Sequence, residues 1–576
     1  MQKPKNSKCT ASGIQKLRTF GKKLLYSALV TGAACYCIFF FAPFTALADS
    51  SSAIAYTHRD VWHILALFAG FVFILGTSVL LTLEQKAFRI TLTVLFSLTL
   101  CCYLQNLLMN PAADSLSGSA CPVNVGLAVF NLLLWVAVFV GCFYVSSISP
   151  KLWKRILLFG AVGILAIQGV CTLTSALNAE PDNASIEEYS FSTESMYTFS
   201  SEDNVFVFVV DRFDYYYLNQ ILKQDPDFFN KLDGFTGYTN AVSAYARTKP
   251  ALNNMLTGSE QAYFVSTDRY LTESWTEGGK DLLGGLQEKD YSVDLYTNPT
   301  YLFGKAAYAK KNVDNITRNY TLQPAAVFPN LLRLCGYQCV PNAIKGVFWA
   351  NSDVYNHNVY TLSGVPGYEF NDPLYGQGFR NATADGENGS FKFYHFFGSH
   401  NPYTMNADGT AAAEGQTLTA AEQTMGCFQN LYRAFDRMKA LGIYEDATII
   451  ITADHGRAIS DGKPVQEATR IGLFYKPAGS AGTQLTWSDA PVSTGNIPAT
   501  IAQAAGFEDI ALYGTPLDQV AEDAQITRPY YKTVCPKGSG PEADVYEYII
   551  TGDAADLDNW EVVKVTEGIP LENSFY

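Results

Sequence analysis

The chain has 576 residues and a formal net charge of −14; 48% of its residues are hydrophobic and only 16% are charged. This aliphatic and aromatic content excludes a disordered chain. The negative charge disfavours nucleic-acid binding, because the 54 Asp and Glu outnumber the 40 Lys and Arg that could neutralise phosphates. Twelve Cys in this length do not make a disulfide framework, and the length allows two or three domains.

Five long apolar segments fill the first third of the sequence. Each has about 20 residues or more, enough to cross a hydrocarbon core of about 30 Å, and none contains Asp, Glu, Lys or Arg. Buried helices of a soluble protein are the alternative, but five in succession without such a side chain are rare. We therefore predict a transmembrane domain over residues 1–177, with five α-helical spans at 24–48, 61–83, 90–109, 125–145 and 156–177.

Basic residues indicate how these spans are oriented. Lys and Arg are concentrated before the first span and in the loops after the second and fourth spans. The positive-inside rule then predicts a multi-pass plasma-membrane protein with a cytoplasmic N-terminus, and residues after about 178 in the extracellular or periplasmic space. Ala46-Leu47-Ala48 resembles a signal-peptidase site; cleavage there would leave four spans without moving the C-terminal region.

The remainder of the chain is predicted to be a linker followed by an extracellular α/β domain. Residues 178–202 are polar and rich in Ser, Glu and Asn, which is typical of a linker. Residues 203–576 alternate short apolar runs with longer amphipathic segments, a pattern that favours a sheet covered by helices on both sides. The clearest predicted elements are strands at 205–210, 392–397, 447–451 and 471–475 and a helix at 420–441.

Polar residues follow three of these predicted strands. Asp211 follows the first strand, Asp454 and His455 follow the strand at 447–451, and His400 comes shortly after the strand at 392–397. Ligands of such sheets bind beyond the carboxyl ends of the strands. Each group alone is compatible with an ordinary turn, but two Asp and two His at three strand ends predict a functional site.

A fourth segment offers a nucleophile. Thr248 precedes a helix-like stretch, and Pro250 suits the first helical position, where a missing N–H does no harm. Thr248 is thus predicted to lie just ahead of a helix N-terminus, whose free N–H groups favour a phosphate-like anion. An ordinary helix start is the alternative, since Thr is common there.

Together these motifs resemble the alkaline phosphatase/sulfatase superfamily. The resemblance lies in an Asp after an apolar strand, in Thr-x-Pro before a helix ending in Leu-Thr-Gly, and in Asp-His-Gly after a later strand. It covers roughly residues 203–530 and is most recognisable at 441–456. Five spans before such a domain, and the segment Ser399-His400-Asn401-Pro402-Tyr403, are similar to lipoteichoic acid synthases and related membrane phosphoglycerol or phosphoethanolamine transferases.

This resemblance implies a metal-dependent transferase that works through a phosphothreonine. Thr248 would attack a membrane phospholipid, and a glycan or lipid of the cell envelope would then accept the head group. His400 and Arg457 are the expected substrate-binding residues, although Arg457 could also be a plain surface residue. One divalent cation is implied, Mn²⁺ first, with Zn²⁺ or Mg²⁺ as alternatives. Its expected ligands are Asp211, Thr248, Asp454 and His455.

The sequence also departs from the families it resembles. Lipoteichoic acid synthases have Glu in place of Asp211, and Arg457 stands where an acidic residue is usual. No second His follows His455 to complete a two-metal site; Asp214, His357 or His395 could contribute to one instead, but His395 lies on an apolar strand and is predicted to be a core histidine. Sulfatases use Cys or Ser in Cys/Ser-x-Pro-x-Arg, whereas this chain has Thr248-Lys249-Pro250-Ala251-Leu252, which disfavours sulfatase chemistry. A phosphodiesterase or phosphatase with the same nucleophile, and a non-catalytic lipid-binding sensor, are the alternative functions.

Overall fold

The computed structural model describes residues 7–49, 54, 56–110, 125–178, 186–260, 265–350, 352–386, 388–457, 463–535 and 542–574. The chain divides into two compact units. The first unit contains Met1–Glu180 and Tyr320–Leu362, and the second contains Pro181–Asn319 and Ser363–Tyr576. The chain therefore passes from one unit to the other three times.

Helices occur in both units. In chain order they are α1 Ser7–Cys35, α2 Ala42–Asp49, α3 His58–Thr82, α4 Gln85–Leu104, α5 Val125–Ile148, α6 Pro150–Asn178, α7 Tyr215–Gln224, α8 Thr248–Thr257, α9 Thr267–Glu273, α10 Leu282–Glu288, α11 Pro299–Leu302, α12 Ala306–Asn312, α13 Pro324–Cys339, α14 Ser352–Asn356, α15 Asp372–Gly378, α16 Ala420–Leu441, α17 Ile497–Ala504 and α18 Leu571–Ser574. A π-helical turn, Tyr36–Phe41, joins α1 to α2, and another, Gln105–Met109, extends α4.

Strands begin only after the helical N-terminal region. In chain order they are β1 Tyr189–Phe191, β2 Thr198–Ser200, β3 Asn204–Val210, β4 Thr236–Tyr238, β5 Tyr291–Tyr296, β6 Ile316–Arg318, β7 Tyr320–Leu322, β8 Tyr360–Leu362, β9 Thr383–Gly386, β10 Gly389–Phe396, β11 Thr448–Thr452, β12 Phe474–Lys476, β13 Thr486–Ser488, β14 Thr527–Val534, β15 Glu542–Thr551 and β16 Trp560–Pro570.

The first unit contains five helical segments that are long and apolar enough to cross a membrane. They agree with the five predicted spans and differ from them by a few residues at the ends, because helices continue into the polar flanks. The segments are Leu17–Ala48, His58–Thr82, Gln85–Met109, Val125–Ile148 and Pro150–Thr174.

The first unit also contains a later part of the chain, Tyr320–Leu362. Its ends, β7 and β8, pair antiparallel, so that the segment forms a closed excursion between them. Within it, α13 is followed by a short 3₁₀ helix, Asn342–Val347. The sequence pattern assigns these residues to the domain at 203–576, whereas their contacts group them with the helical unit.

The second unit is built on a seven-stranded sheet with the order β13-β4-β12-β11-β3-β10-β5. The strand β3 lies between the parallel strands β10 and β11, and all seven of its residues are buried. Such burial is expected of a central strand that is covered on both faces. A three-stranded antiparallel sheet, β14-β15-β16, completes the unit.

Most of the predicted elements of this unit are confirmed, with two differences. The strands β3, β10 and β11 and the helix α16 coincide with their predictions to within a few residues. The strand predicted at 471–475 begins only at Phe474, because the backbone N–H of Ile471 donates to Ala241 instead of joining the sheet. The helix α8 already begins at Thr248, so that Thr248 is its first residue rather than the residue ahead of it.

Candidate active site

Two aspartates end neighbouring strands at the same edge of the sheet. Asp211 directly follows β3, and Asp454 comes two residues after β11. Because the two strands are parallel and Thr452 pairs with Val209, both carboxylates come to the same place. The exposed fractions are 7% for Asp211 and 0% for Asp454. The sheet thus brings together the two Asp residues that the sequence singled out.

His455 and Thr248 join these carboxylates. One ligand atom each from Asp211, Asp454 and His455 lie within 4.8 Å of one another, and His455 Nε2 lies 3.4 Å from Asp454 Oδ2. The hydroxyl oxygen of Thr248 lies 3.4 Å from the same His455 Nε2. All four residues expected to bind the cation are therefore close together.

The free carboxylate oxygens fit a cation. Asp454 Oδ1 accepts hydrogen bonds from the backbone N–H groups of Arg212 (3.0 Å) and His455 (2.8 Å). Asp454 Oδ2 and Asp211 Oδ1 are buried and have no hydrogen-bond partner among the residues that the structure describes. A buried polar atom without a partner is unfavourable, whereas two carboxylates and an imidazole are suitable ligands for a divalent cation.

The surroundings of Asp454 favour its ionised form. Burial acts to raise the pKa of its carboxyl, because desolvation disfavours a charge. The imidazoles of His455 and His395, the N–H of Arg212 and the hydroxyl of Thr248 act in the opposite direction and together outweigh burial. The pKa of Asp454 is consequently lowered from its ordinary value of 3.8.

Arg212 contributes through its backbone, which the sequence did not indicate. Its φ of 57° lies in the left-handed region, which is uncommon for a residue other than Gly. This conformation lets its N–H reach Asp454 Oδ1, while its guanidinium donates to Asn401 Oδ1 at 3.1 Å. No sequence pattern predicts a left-handed Arg after a strand.

For His395 the sequence left two roles open, a core histidine or a contributor to the metal site. It is fully buried in β10, as expected for a core histidine, but its Nε2 faces Asp211 Oδ2 at 3.6 Å. Its Nδ1 lies 3.0 Å from Thr297 Oγ1, and this is the only side-chain hydrogen bond of Thr297 among the described residues. Donation from the Thr297 hydroxyl to Nδ1 would place the imidazole hydrogen on Nε2, the nitrogen that faces Asp211.

Tyr301, in α11, also belongs to the surroundings of the two carboxylates. Its ring centroid lies 6.1 Å from that of His395. Burial raises the pKa of the Tyr301 hydroxyl, and the charges of Asp211 and Asp454 raise it further. The protonated hydroxyl is thus favoured beside these aspartates. With 35 Tyr in the chain, composition could not single out this one.

The loop that carries His400 is bound to Asp211 through the backbone. The N–H of Ser399 donates to the carbonyl of Asp211 at 2.8 Å. Gly398 has a φ of 60°, and a Cβ there would lie 2.5 Å from the backbone N of Asp211, so that only Gly permits this approach. His400 itself is half-buried, with its Nδ1 2.5 Å from the carbonyl of Asn401.

Arg457 is engaged by three neighbours. Its guanidinium lies 4.0 Å from the ring centroid of Tyr216, forms an ion pair with Glu467, and has its Nε 3.6 Å from Asp214 Oδ2. The side chain nonetheless lines a small cleft together with Arg247 and Lys532. Glu467 lines the same cleft. Arg247 directly precedes Thr248 in the chain, so that three basic side chains and one acidic side chain lie near the N-terminus of α8.

The chain is similar to a known protein family and to several solved structures. The family model described as Sulfatase matches residues 203–507, and no curated protein matches the sequence. Similar solved structures include a protein of the alkaline phosphatase superfamily from Vibrio parahaemolyticus, with 12% identity over 67% of this chain and 88% of that chain (TM-score 0.37). The lipoteichoic acid synthase LtaP from Listeria monocytogenes has 12% identity over 62% and 86% (TM-score 0.33). A phosphonate monoester hydrolase from Silicibacter pomeroyi has 12% identity over 64% and 89% (TM-score 0.32).

The family model covers more than half of the chain and includes every candidate site residue described above except Lys532. The second unit has an α/β fold of the alkaline phosphatase/sulfatase type, and it is preceded by a region with five candidate membrane helices. The chain belongs to the Sulfatase family.

Proposed function

We propose that the protein is a membrane-anchored, metal-dependent transferase that moves a phosphorylated lipid head group to an acceptor outside the cytoplasm. The donor is a membrane phospholipid with a phosphoglycerol or phosphoethanolamine head group, and the acceptor is a glycan or lipid of the cell envelope. The N-terminus is cytoplasmic, and the second unit lies in the extracellular or periplasmic space. The observation that carries the proposal is the position of Thr248 Oγ1, 3.4 Å from His455 Nε2 and beside two buried carboxylates.

The reaction has two balanced steps. In the first, Thr248 Oγ attacks the phosphorus of the lipid phosphodiester, and the bond from phosphorus to the glycerol oxygen of diacylglycerol breaks. Thr248 gives up its hydroxyl proton, the leaving oxygen takes up one proton, and diacylglycerol departs. In the second, a hydroxyl of the acceptor attacks the same phosphorus, the bond to Thr248 Oγ breaks, and Thr248 regains a proton.

A Thr hydroxyl is a weak nucleophile at neutral pH and needs activation. Asp211, Thr248, Asp454 and His455 would hold a divalent cation, for which we propose Mn²⁺, with Zn²⁺ and Mg²⁺ as alternatives. When bound, the cation supplies positive charge that favours the Thr248 alkoxide and the charge on the phosphoryl oxygens. The chain prepares this site because the N–H groups of Arg212 and His455 fix one oxygen of Asp454 and leave the other for the cation.

His400 and the basic cleft are assigned to the substrate. We assign His400 to contact the phosphate or to protonate the leaving oxygen, since its loop is hydrogen-bonded to Asp211. Arg457, Arg247 and Lys532 line one cleft, and clustered Arg side chains suit a phosphate, which they can bind in a bidentate manner. Because Arg457 is ion-paired with Glu467, a phosphate that binds it must either add to this ion pair or replace Glu467.

The family name describes a fold rather than this reaction. The motif Thr248-Lys249-Pro250-Ala251-Leu252 lacks both the Cys or Ser that sulfatases modify and their Arg. A Thr nucleophile beside a cation site suits phosphoryl transfer. We therefore propose transfer of a phosphorylated group, not sulfate hydrolysis.

Turnover of defined lipids tests the proposal. The purified full chain is incubated with Mn²⁺ and vesicles of phosphatidylglycerol or phosphatidylethanolamine, with Thr248→Ala as the matched control. We expect diacylglycerol from one of the two lipids with the unmodified chain only, together with a modified acceptor when cell-envelope glycolipid is added. Free head group instead of modified acceptor would identify a hydrolase. Tight Mn²⁺ and lipid binding without any diacylglycerol would identify a lipid-binding sensor and end the transferase proposal.

A further inference from the structure

The excursion Tyr320–Leu362 packs into the helical unit through its apolar residues. On α13, Val327, Leu331 and Leu334 are buried, with exposed fractions of 0%, 1% and 0%. They belong to one apolar cluster with residues of α2 and α3, among them Leu47 and Leu65. The excursion thus shares a hydrophobic core with the ends of two candidate membrane helices.

Further contacts of the excursion reach well inside two other candidate membrane helices, α4 and α5. The Sγ of Cys102 donates to the carbonyl of Cys339 at 3.5 Å; Cys102 lies seven residues before the end of its span at Met109, which is about 10 Å at 1.5 Å per residue. The N–H of Asn342 donates to Asn131 Oδ1 at 2.9 Å. Asn131 lies six residues after the start of α5 at Val125, which is about 9 Å. The excursion therefore lies beside parts of the spans that a hydrocarbon core of about 30 Å would cover.

Amide side chains fix the excursion at this depth. Gln105 Nε2 donates to Asn342 Oδ1 at 2.9 Å, and Asn131 Nδ2 donates to Gln105 Oε1 at 2.7 Å. Lys345 Nζ donates to Asn110 Oδ1 at 2.5 Å. Gln105 and Asn131 are both fully buried. Polar groups at membrane depth must find partners within the protein, and here the partners come from both the spans and the excursion.

The other side of the excursion is apolar and exposed. The exposed fraction is 78% for Val347, 49% for Ile344, 44% for Val354 and 38% for Leu332. The 3₁₀ helix packs against α5, on which Leu133 is also exposed, at 63%. These exposed apolar side chains lie beside helices that cross the hydrocarbon core, and contact with the same hydrocarbon would remove them from water.

We propose that this apolar side of the excursion is embedded in the bilayer and contacts the acyl chains of phospholipids. The inference requires only that the five helices span the membrane, and it is independent of the catalytic proposal. The helices of the excursion form their backbone hydrogen bonds internally, which is necessary in hydrocarbon because no water is available there. The second unit is then connected to membrane-embedded chain at Asn319 and Ser363 as well as through the linker after α6.

Photo-crosslinking in the intact membrane tests this inference. The photoreactive residue p-benzoylphenylalanine replaces Val347 or, in a second variant, Ile344 in the full chain. Two matched controls are Leu133, on the exposed side of α5, and Val563, which is 48% exposed on β16 in the second unit. After irradiation, mass spectrometry identifies phospholipid adducts on each variant.

We expect lipid adducts at 347 and 344 with a yield comparable to that at 133, and none at 563. A yield at 347 and 344 as low as that at 563 would overturn the inference, because these positions would then face water. Adducts to another protein, or to a second copy of this chain, would also overturn it and would identify an interface in place of a lipid surface. Lipid adducts at 133 confirm in the same experiment that α5 lies in the bilayer.

Discussion

Asp454 is held by donors on one oxygen only, and its charge is favoured before any cation binds. The backbone N–H groups of Arg212 and His455 donate to Oδ1, and the pKa of Asp454 lies below its ordinary 3.8. A carboxyl with a depressed pKa stabilises the folded state above its unfolded pKa, and this contribution is lost as the pH falls through the folded pKa.

The first prediction follows from this dependence of stability on pH. In the presence of a chelator, Asp454→Asn should lower the free energy of unfolding near pH 7, since Asn lacks the favoured charge but keeps the Oδ1 acceptor. The difference between the two proteins should narrow as the pH is lowered below 3.8. Urea unfolding at a series of pH values measures it. A difference that widens on acidification would show that Asp454 is not stabilised as its anion.

The second prediction concerns His395, whose Nε2 faces Asp211 Oδ2 at 3.6 Å. A Gln side chain can present an N–H near the position of Nε2, whereas Leu cannot. His395→Leu should therefore weaken Mn²⁺ affinity by about 10- to 100-fold, the usual effect of losing an outer hydrogen-bond partner of a ligand. His395→Gln should recover most of that loss.

Titration calorimetry of the full chain measures these affinities without any turnover. Thr297→Val is a further variant, because it removes the hydroxyl that hydrogen-bonds to Nδ1 of His395. It should give an intermediate loss of affinity. Equal affinities for the Leu and Gln variants would show that the ring fills space and does not position Asp211.

At the scale of elements, the local patterns of the sequence were sufficient to predict features that belong to a single strand or helix. The all-buried run of β3 and the Asp that follows it, or the amphipathic period of α16, can be read without knowing the neighbours. The approach of His395 to Asp211 and the left-handed conformation of Arg212 could not be predicted, because they depend on residues far along the chain. For the same reason Ile471 was predicted to lie in a strand although it bonds to Ala241.

Two adjacent strands share a buried ion pair, which gives the third prediction. Lys392 in β10 pairs in register with Asp294 in β5, with Nζ and Oδ2 2.7 Å apart and both side chains buried. Burial lowers the pKa of Lys392, although the charge of Asp294 opposes this. Removing one partner of such a pair usually destabilises by about 3–5 kcal/mol, because the other charge stays buried and uncompensated.

Lys392→Met should accordingly lower the free energy of unfolding by about 3–5 kcal/mol. The double variant Lys392→Met with Asp294→Leu should recover most of this loss, since no unpaired charge is left. Urea unfolding of the detergent-solubilised chain, followed by tryptophan fluorescence, gives both values. A double variant no more stable than Lys392→Met would mean that the loss comes from removing the pair itself and not from the buried, unpaired charge of Asp294.

For the whole molecule, the apolar runs of the sequence predicted five membrane helices and a separate α/β unit. What they could not predict is that Tyr320–Leu362 leaves one unit and folds with the other. Its apolar residues look like those of any amphipathic helix, and only the partners on α2, α3 and α5 distinguish them. Membership of a unit is a property of long-range contacts, which periodicity does not encode.

The fourth prediction concerns orientation in the membrane. The distribution of Lys and Arg predicts a cytoplasmic N-terminus, and five spans then put the C-terminus on the opposite side. A β-lactamase domain fused after Tyr576 should be active outside the cytoplasm, and one fused after Glu84, between the second and third spans, should not. A green fluorescent protein fused at the same two positions should give the converse result. β-Lactamase activity outside the cytoplasm from the fusion after Glu84 would show that the chain has the opposite orientation.

The central claim is that Thr248 is the nucleophile, and one measurement tests it most directly. The intact mass of the full chain is recorded after incubation with Mn²⁺ and mixed anionic and zwitterionic phospholipids, beside Thr248→Ala and Thr248→Ser as controls. We predict a covalent phosphoglycerol or phosphoethanolamine adduct that maps to Thr248, persists on the Ser variant and is missing from the Ala variant. A metal-loaded, folded chain that carries no adduct and releases no diacylglycerol would contradict the account, as would an adduct on any other residue.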